Sequence, residues 1–161
     1  MPAQAIFPHP TDNGISQIIN FPAKAAEAWL PGAAVLTDSN GELVECADDP
    51  AALVGFALAA PFKNPGYDMA NSPTVVTGRD AFVPVAVARP GVIFVGRGVN
   101  GGTDPVTPTQ AMVNNQYELI GNGAVWAVNI GGTSSPCVEI VRVDIDNKLF
   151  FFRVIPANIQ G

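Results

Sequence analysis

The chain has 161 residues, a formal net charge of −6 and only 14% charged side chains, against roughly 25% in ordinary soluble domains. Its eight Lys and Arg are scattered among fourteen acids, which argues against any role that rests on neutralising phosphates, so no nucleic-acid partner is expected. Apolar residues make up 48% of the chain and mean hydropathy is +0.26; so few charges cover a surface poorly, and part of it is expected to be buried against other chains.

Gly 16 and Pro 15 cut every regular element short, which favours an all-β fold built of hairpins, and the length suits one small antiparallel β-sandwich or barrel domain behind an extended N-terminal arm. The opening MPAQAIFPHP lacks a basic stretch and an unbroken apolar run, so no secretory signal is expected. The charge-poor region 119–138 is interrupted by Gly, Asn and Ser, so no membrane span is expected. Cys46 and Cys137 fall on apolar strands far apart in sequence and read as free thiols.

Residues 1–31 read as an extended arm punctuated by prolines at 2, 8, 10, 22 and 31. The arm either packs along its own domain or adds a strand to a neighbour. Ile6, Phe7, Ile18, Ile19, Phe21 and Trp29 are the residues expected to do the gripping. Residues 23–29, bracketed by Pro22 and Pro31, have room for two helical turns.

Residues 32–161 read as the β-rich domain. Apolar runs at 33–36, 43–46 and 53–59 predict a meander whose Asn40-Gly41 turn is type I′. A polar connection at 61–78 follows. Residues 82–88 and 92–95 then flank Arg89-Pro90-Gly91, predicting a second hairpin around a type II turn, with Pro84 marking an edge strand or a bulge. After a turn-rich connection at 96–116, Gly121-Asn122-Gly123 and Asp146-Asn147-Lys148 predict third and fourth hairpins, Trp126 lying on the third. In the last strand Phe150, Phe152 and Val154 share one face, while Leu149, Phe151, Arg153 and Ile155 share the other. Both faces are mostly apolar, so the second is expected to meet either another layer of the domain or another subunit.

The motifs yield no catalytic, cofactor or metal site. Gly96-Arg97-Gly98-Val99-Asn100-Gly101 matches a dinucleotide fingerprint, yet Asp104, Pro105 and Pro108 follow where a helix must open. His9 is the only histidine, too few for a transition-metal site or a hydrolytic triad. Asp144 and Asp146 lack the glycine and closing glutamate of a calcium loop, and Asp48-Asp49-Pro50 reads as turn or cap chemistry. Trp126, Phe82, Phe94, Phe150 and Phe152 read as core.

The order of these features resembles the small decoration (cement) proteins of tailed-bacteriophage capsids. The likeness is carried by Pro31-Gly32-Ala33-Ala34-Val35, Asp38-Ser39-Asn40-Gly41-Glu42-Leu43-Val44, Leu53-Val54-Gly55-Phe56-Ala57-Leu58 and Val87-Ala88-Arg89-Pro90-Gly91-Val92. Residues 138–142, Phe150-Phe151-Phe152 and Asn158-Ile159-Gln160 extend it to the C-terminus. The resemblance implies a non-enzymatic virion protein on the outer surface of an assembled head, a homotrimer at three-fold positions that bridges major capsid protein subunits. The family's contacts sit in no motif that aligns with this chain, so the contact residues are read from the residues themselves: the arm residues are expected to meet the capsid or a neighbour and Leu149, Phe151, Arg153 and Ile155 to form the subunit interface, and deleting residues 2–21 is expected to spare the trimer and weaken capsid binding. Another virion component, such as a head fibre base or tail protein, and a carbohydrate-binding β-sandwich are the competing readings.

Overall fold

A computed structural model describes residues 6–9, 17–24, 26–61, 82–122 and 125–161. Among them the chain is all-β, with two sheets and two single-turn 3-10 segments, Gln110–Met112 and Pro156–Asn158. The strands are β1 (Phe7–His9), β2 (Ile18–Pro22), β3 (Ala34–Thr37), β4 (Leu43–Glu45), β5 (Gly55–Ala57), β6 (Phe82–Val87) and β7 (Ile93–Gly96). They continue with β8 (Gly98–Val99), β9 (Pro105–Val106), β10 (Gln116–Asn122), β11 (Val125–Asn129), β12 (Val138–Asp144) and β13 (Leu149–Val154).

The smaller sheet runs β2-β6-β5-β3-β4. Just past β2, Ala23 bridges Leu43 of β4 and the Lys24 N–H donates to the Leu43 carbonyl at 3.0 Å. The two outer strands therefore meet at one end, and the sheet curls towards a small barrel. Register puts the odd-numbered residues on its concave side. Accordingly Ala23, Val35, Leu43, Ala57, Val83 and Val85 are fully buried.

The larger sheet runs β1-β7-β13-β12-β10-β11-β8-β9, antiparallel except where β8 pairs with β11. β7 and β8 follow one another across Arg97 yet pair with β13 and β11 respectively. This sheet curls too: the Phe150 ring lies against Gly98, where an added Cβ would sit 2.5 Å from the ring. The Arg97 side chain donates to the Asn147 carbonyl at 2.9 Å, tying the β12–β13 loop to this bend.

The sheets meet where Phe56 of β5 packs edge-on against Phe94 of β7 and Phe152 of β13, with ring centroids at 4.7 and 6.0 Å. The C-terminal tail adds a second tie. Ile159 bridges Leu53, and the Gln160 side chain both accepts from the Thr37 N–H and donates to the Thr37 carbonyl, at 2.8 and 2.9 Å.

Several local expectations change in this setting. The 30–60 segment is not a sequential meander, because β3 lies between β4 and β5. At its turn only Gly41 has positive φ (77°), while Asp38 Oδ1 accepts from Asn40 and Glu42; the tight loop is a bulged turn rather than type I′. Arg89-Pro90-Gly91-Val92 does form the expected turn, with Gly91 at φ 87° and the Val92 N–H on the Arg89 carbonyl. The strands it joins, however, belong to different sheets, so it is a crossover and not a hairpin.

Pro84 sits in an interior strand. Its carbonyl accepts from Leu58, the return bond needs an N–H that proline lacks, and β5 ends at Ala57. No helix forms over the described part of 23–29; its first residues bond to β4 instead. The 96–116 connection carries β8, β9 and a 3-10 turn. The third and fourth hairpins stand as β10–β11 and β12–β13, the latter with a bulge between Ile140 and Arg142. Cys46 and Cys137 flank strands rather than occupying them, and both are free and buried. Most of the expected 61–78 connection lies outside the described residues.

Candidate functional site

A recess of about 460 Å³ opens between segment 28–30, the turn after β4 and the β10–β11 hairpin. Its walls are Trp29, Leu30, Glu45, Cys46, Asp48 and Trp126, with small residues between them. Trp126 lies across Gly121, where an added Cβ would sit 2.6 Å from the indole. The Trp126 indole N–H donates to Glu45 Oε1 at 2.8 Å and that of Trp29 to the Ala59 carbonyl at 3.0 Å. Asp48 Oδ1 accepts the Gly121 N–H at 2.7 Å, and Glu27 Oε2 accepts the Glu45 N–H at 3.2 Å. The recess is thus an anionic, aromatic-walled hollow whose shape is fixed by its own hydrogen bonds.

Behind it lies a pair of carboxyl groups. Glu118 is 5% exposed, and its Oε1 accepts from the Ser134 N–H, the Ser134 hydroxyl and the Ser135 N–H at 2.8 to 3.0 Å. Asn129 donates to the other oxygen at 3.3 Å. The Ser135 N–H above all, with the other donors, holds the Glu118 carboxyl below its ordinary range despite burial. Asp49 faces it from a left-handed backbone (φ 54°), its N–H on the Leu119 carbonyl. Desolvation, then the Glu118 charge, raises the Asp49 carboxyl above its ordinary range, so of the two Asp49 gives up its proton at the higher pH. Burial also pushes the thiols of Cys46 and Cys137 up to about 12, which leaves them unreactive.

The residues singled out by sequence are dispersed. Ile6 and Trp29 lie in the core, Ile19 and Phe21 are half-buried, and Ile18 is 57% exposed. β1, which contains Phe7, pairs with β7, and β2 pairs with β6, so the described part of the arm runs along its own domain. A 2–21 deletion removes two edge strands and a core isoleucine, so intact folding is no longer its expected result. In the β13 set, Phe151 is buried with the Arg142 guanidinium 4.0 Å above its ring, Arg153 is exposed and pairs with Glu139 at 2.9 Å, and Leu149 and Ile155 are half-buried. Of the expected core aromatics, Phe82 is the exception at 47% exposed. Gly96 and Gly98 of the fingerprint-like run pack against Ile6 and Phe150, and a short strand follows where a nucleotide site needs a helix.

Among the described residues no group of three or more His, Cys, Asp or Glu is placed to hold a metal ion, and no helix is long and apolar enough to cross a membrane. The sequence reading missed the recess and the carboxyl pair. The only local signal was Asp48-Asp49-Pro50, whose turn character is real but whose partners are some seventy positions away. Comparison with protein-family models, curated proteins and solved structures returned no match to this chain.

Proposed function

We propose that this chain is a non-enzymatic decoration protein of tailed-phage heads, acting as a homotrimer on the outer surface of an assembled capsid and bridging major capsid protein subunits. The observation that supports this reading most is the surface of the β2–β6 pair. Ile18 and Phe82, 57% and 47% exposed, project from the same convex face of the smaller sheet. The bond from the Val87 N–H to the Gln17 carbonyl sets the pairing so that the backbone groups of Ile18 and Asn20 point away from β6. Among the described residues no strand covers the outer side of Ile18 and Asn20, and an apolar strip beside such an edge is a surface suited to another chain. A ligand that recognises only the assembled state stabilises it by mass action, and three linked footholds multiply that grip. The sugar-binding alternative is weaker, because Trp29 and Trp126 are 5% and 2% exposed and offer no open stacking platform.

The test is to mix the purified protein with expanded and unexpanded heads and measure occupancy. Saturable binding to expanded heads alone, by a species of three times 16.7 kDa in light scattering, supports the proposal. No binding to either form overturns it.

A further inference from the structure

We propose that the recess between Trp29 and Trp126 is a binding site for one basic side chain, an arginine or lysine presented by a partner protein. Charge is the first reason. Glu45 and Asp48 line the recess, and no Lys or Arg among the described residues does. The ion pairs found among the described residues are Lys24 with Asp38 and Arg153 with Glu139, so neither recess carboxylate is neutralised by them. Glu27 stands behind Glu45 and adds to the same field.

Geometry is the second reason. The Trp126 indole holds the Glu45 carboxylate in place and the Gly121 N–H holds that of Asp48, so both acceptors are oriented before any ligand arrives. Leu30, 47% exposed at the rim, offers apolar contact to an aliphatic stem. A hollow of about 460 Å³ accommodates a side chain with water around it. A metal ion is a poorer occupant, since the described residues do not bring three ligands together.

A single exposed cation binds such a site weakly. The recess therefore serves as one contact within a larger protein interface, whose other contacts hold the side chain in place. The proposal does not depend on the partner being a capsid, and its test uses the purified chain alone.

The two tryptophans give two indole N–H signals in a nitrogen-15 spectrum of the full chain. Titration with N-acetylarginine amide is expected to shift the Trp126 signal saturably, with a midpoint on the order of millimolar, and raising salt to about 0.5 M is expected to weaken it. Glu45→Gln and Asp48→Asn each keep a hydrogen-bond acceptor for their tether, and each is expected to weaken the titration without disturbing the remaining spectrum. An equal shift with neutral N-acetylglutamine amide, a response insensitive to salt, or no saturable shift overturns the proposal. The salt series needs no variant, so a misfolded mutant does not leave the question open.

Discussion

The two curled sheets are joined by two seams of opposite character. At one, the fully buried rings of Phe56, Phe94 and Phe152 pack directly on one another. At the other, Glu118 and Asp49 face each other among serine and asparagine donors. The aromatic seam draws its strength from area removed from water and is indifferent to pH. The carboxyl seam holds only while Glu118 keeps its serine and asparagine donors, and its contribution moves with the proton. One seam sets how stable the protein is; the other makes that stability depend on conditions.

The largest expected effect breaks the aromatic seam. Phe56→Ala leaves a cavity against two rings and is expected to cost about 3–5 kcal/mol. Urea denaturation should show the lower midpoint at every pH tested.

Glu118→Gln comes next. It weakens three donor contacts to a charged oxygen, for an expected loss of roughly 1–3 kcal/mol near neutral pH. The native Glu118 carboxyl is lowered, so its contribution is complete above its ordinary value of 4.5 and disappears as pH falls through the lowered one. The wild-type protein should therefore lose stability in that acid window, and the Gln variant should lose less.

Asp49→Asn has the opposite sign. The native Asp49 carboxyl is raised above 3.8, so the stability linked to its proton is present below that value and lost as pH rises through the raised one. Asparagine tolerates the left-handed backbone and donates to Glu118 without a charge. The variant should gain on the wild type as pH climbs from acid to neutral, visible as a higher melting temperature at neutral pH.

The smallest effect on folding is expected outside both seams. Ile18→Ser with Phe82→Ser alters exposed positions, and the melting temperature should stay close to that of the wild type. Capsid occupancy should fall sharply under the proposed function; unchanged occupancy would move the contact surface elsewhere.

β13 illustrates how much of this was legible beforehand. Its alternation showed two apolar faces, and the inner one is the aromatic seam. That Phe151 on the outer face lies under Arg142, after a bulge that shifts the β12 register, was not visible, because a bulge changes which side chains stand opposite one another. The recess was invisible for a similar reason. Trp29, Glu45 and Trp126 belong to three segments that meet only once both sheets have curled.

By itself the sequence determined the all-β class, the β10–β11 and β12–β13 hairpins and the turn at Pro90-Gly91, since alternation, turn chemistry and glycine conformation act over a few residues. Tertiary structure alone decided that this turn crosses between sheets, that β3 lies between β4 and β5, and that Asp49 meets Glu118. A turn fixes where the chain reverses, whereas the partner of a strand and the proton on a carboxyl depend on groups that only folding brings near.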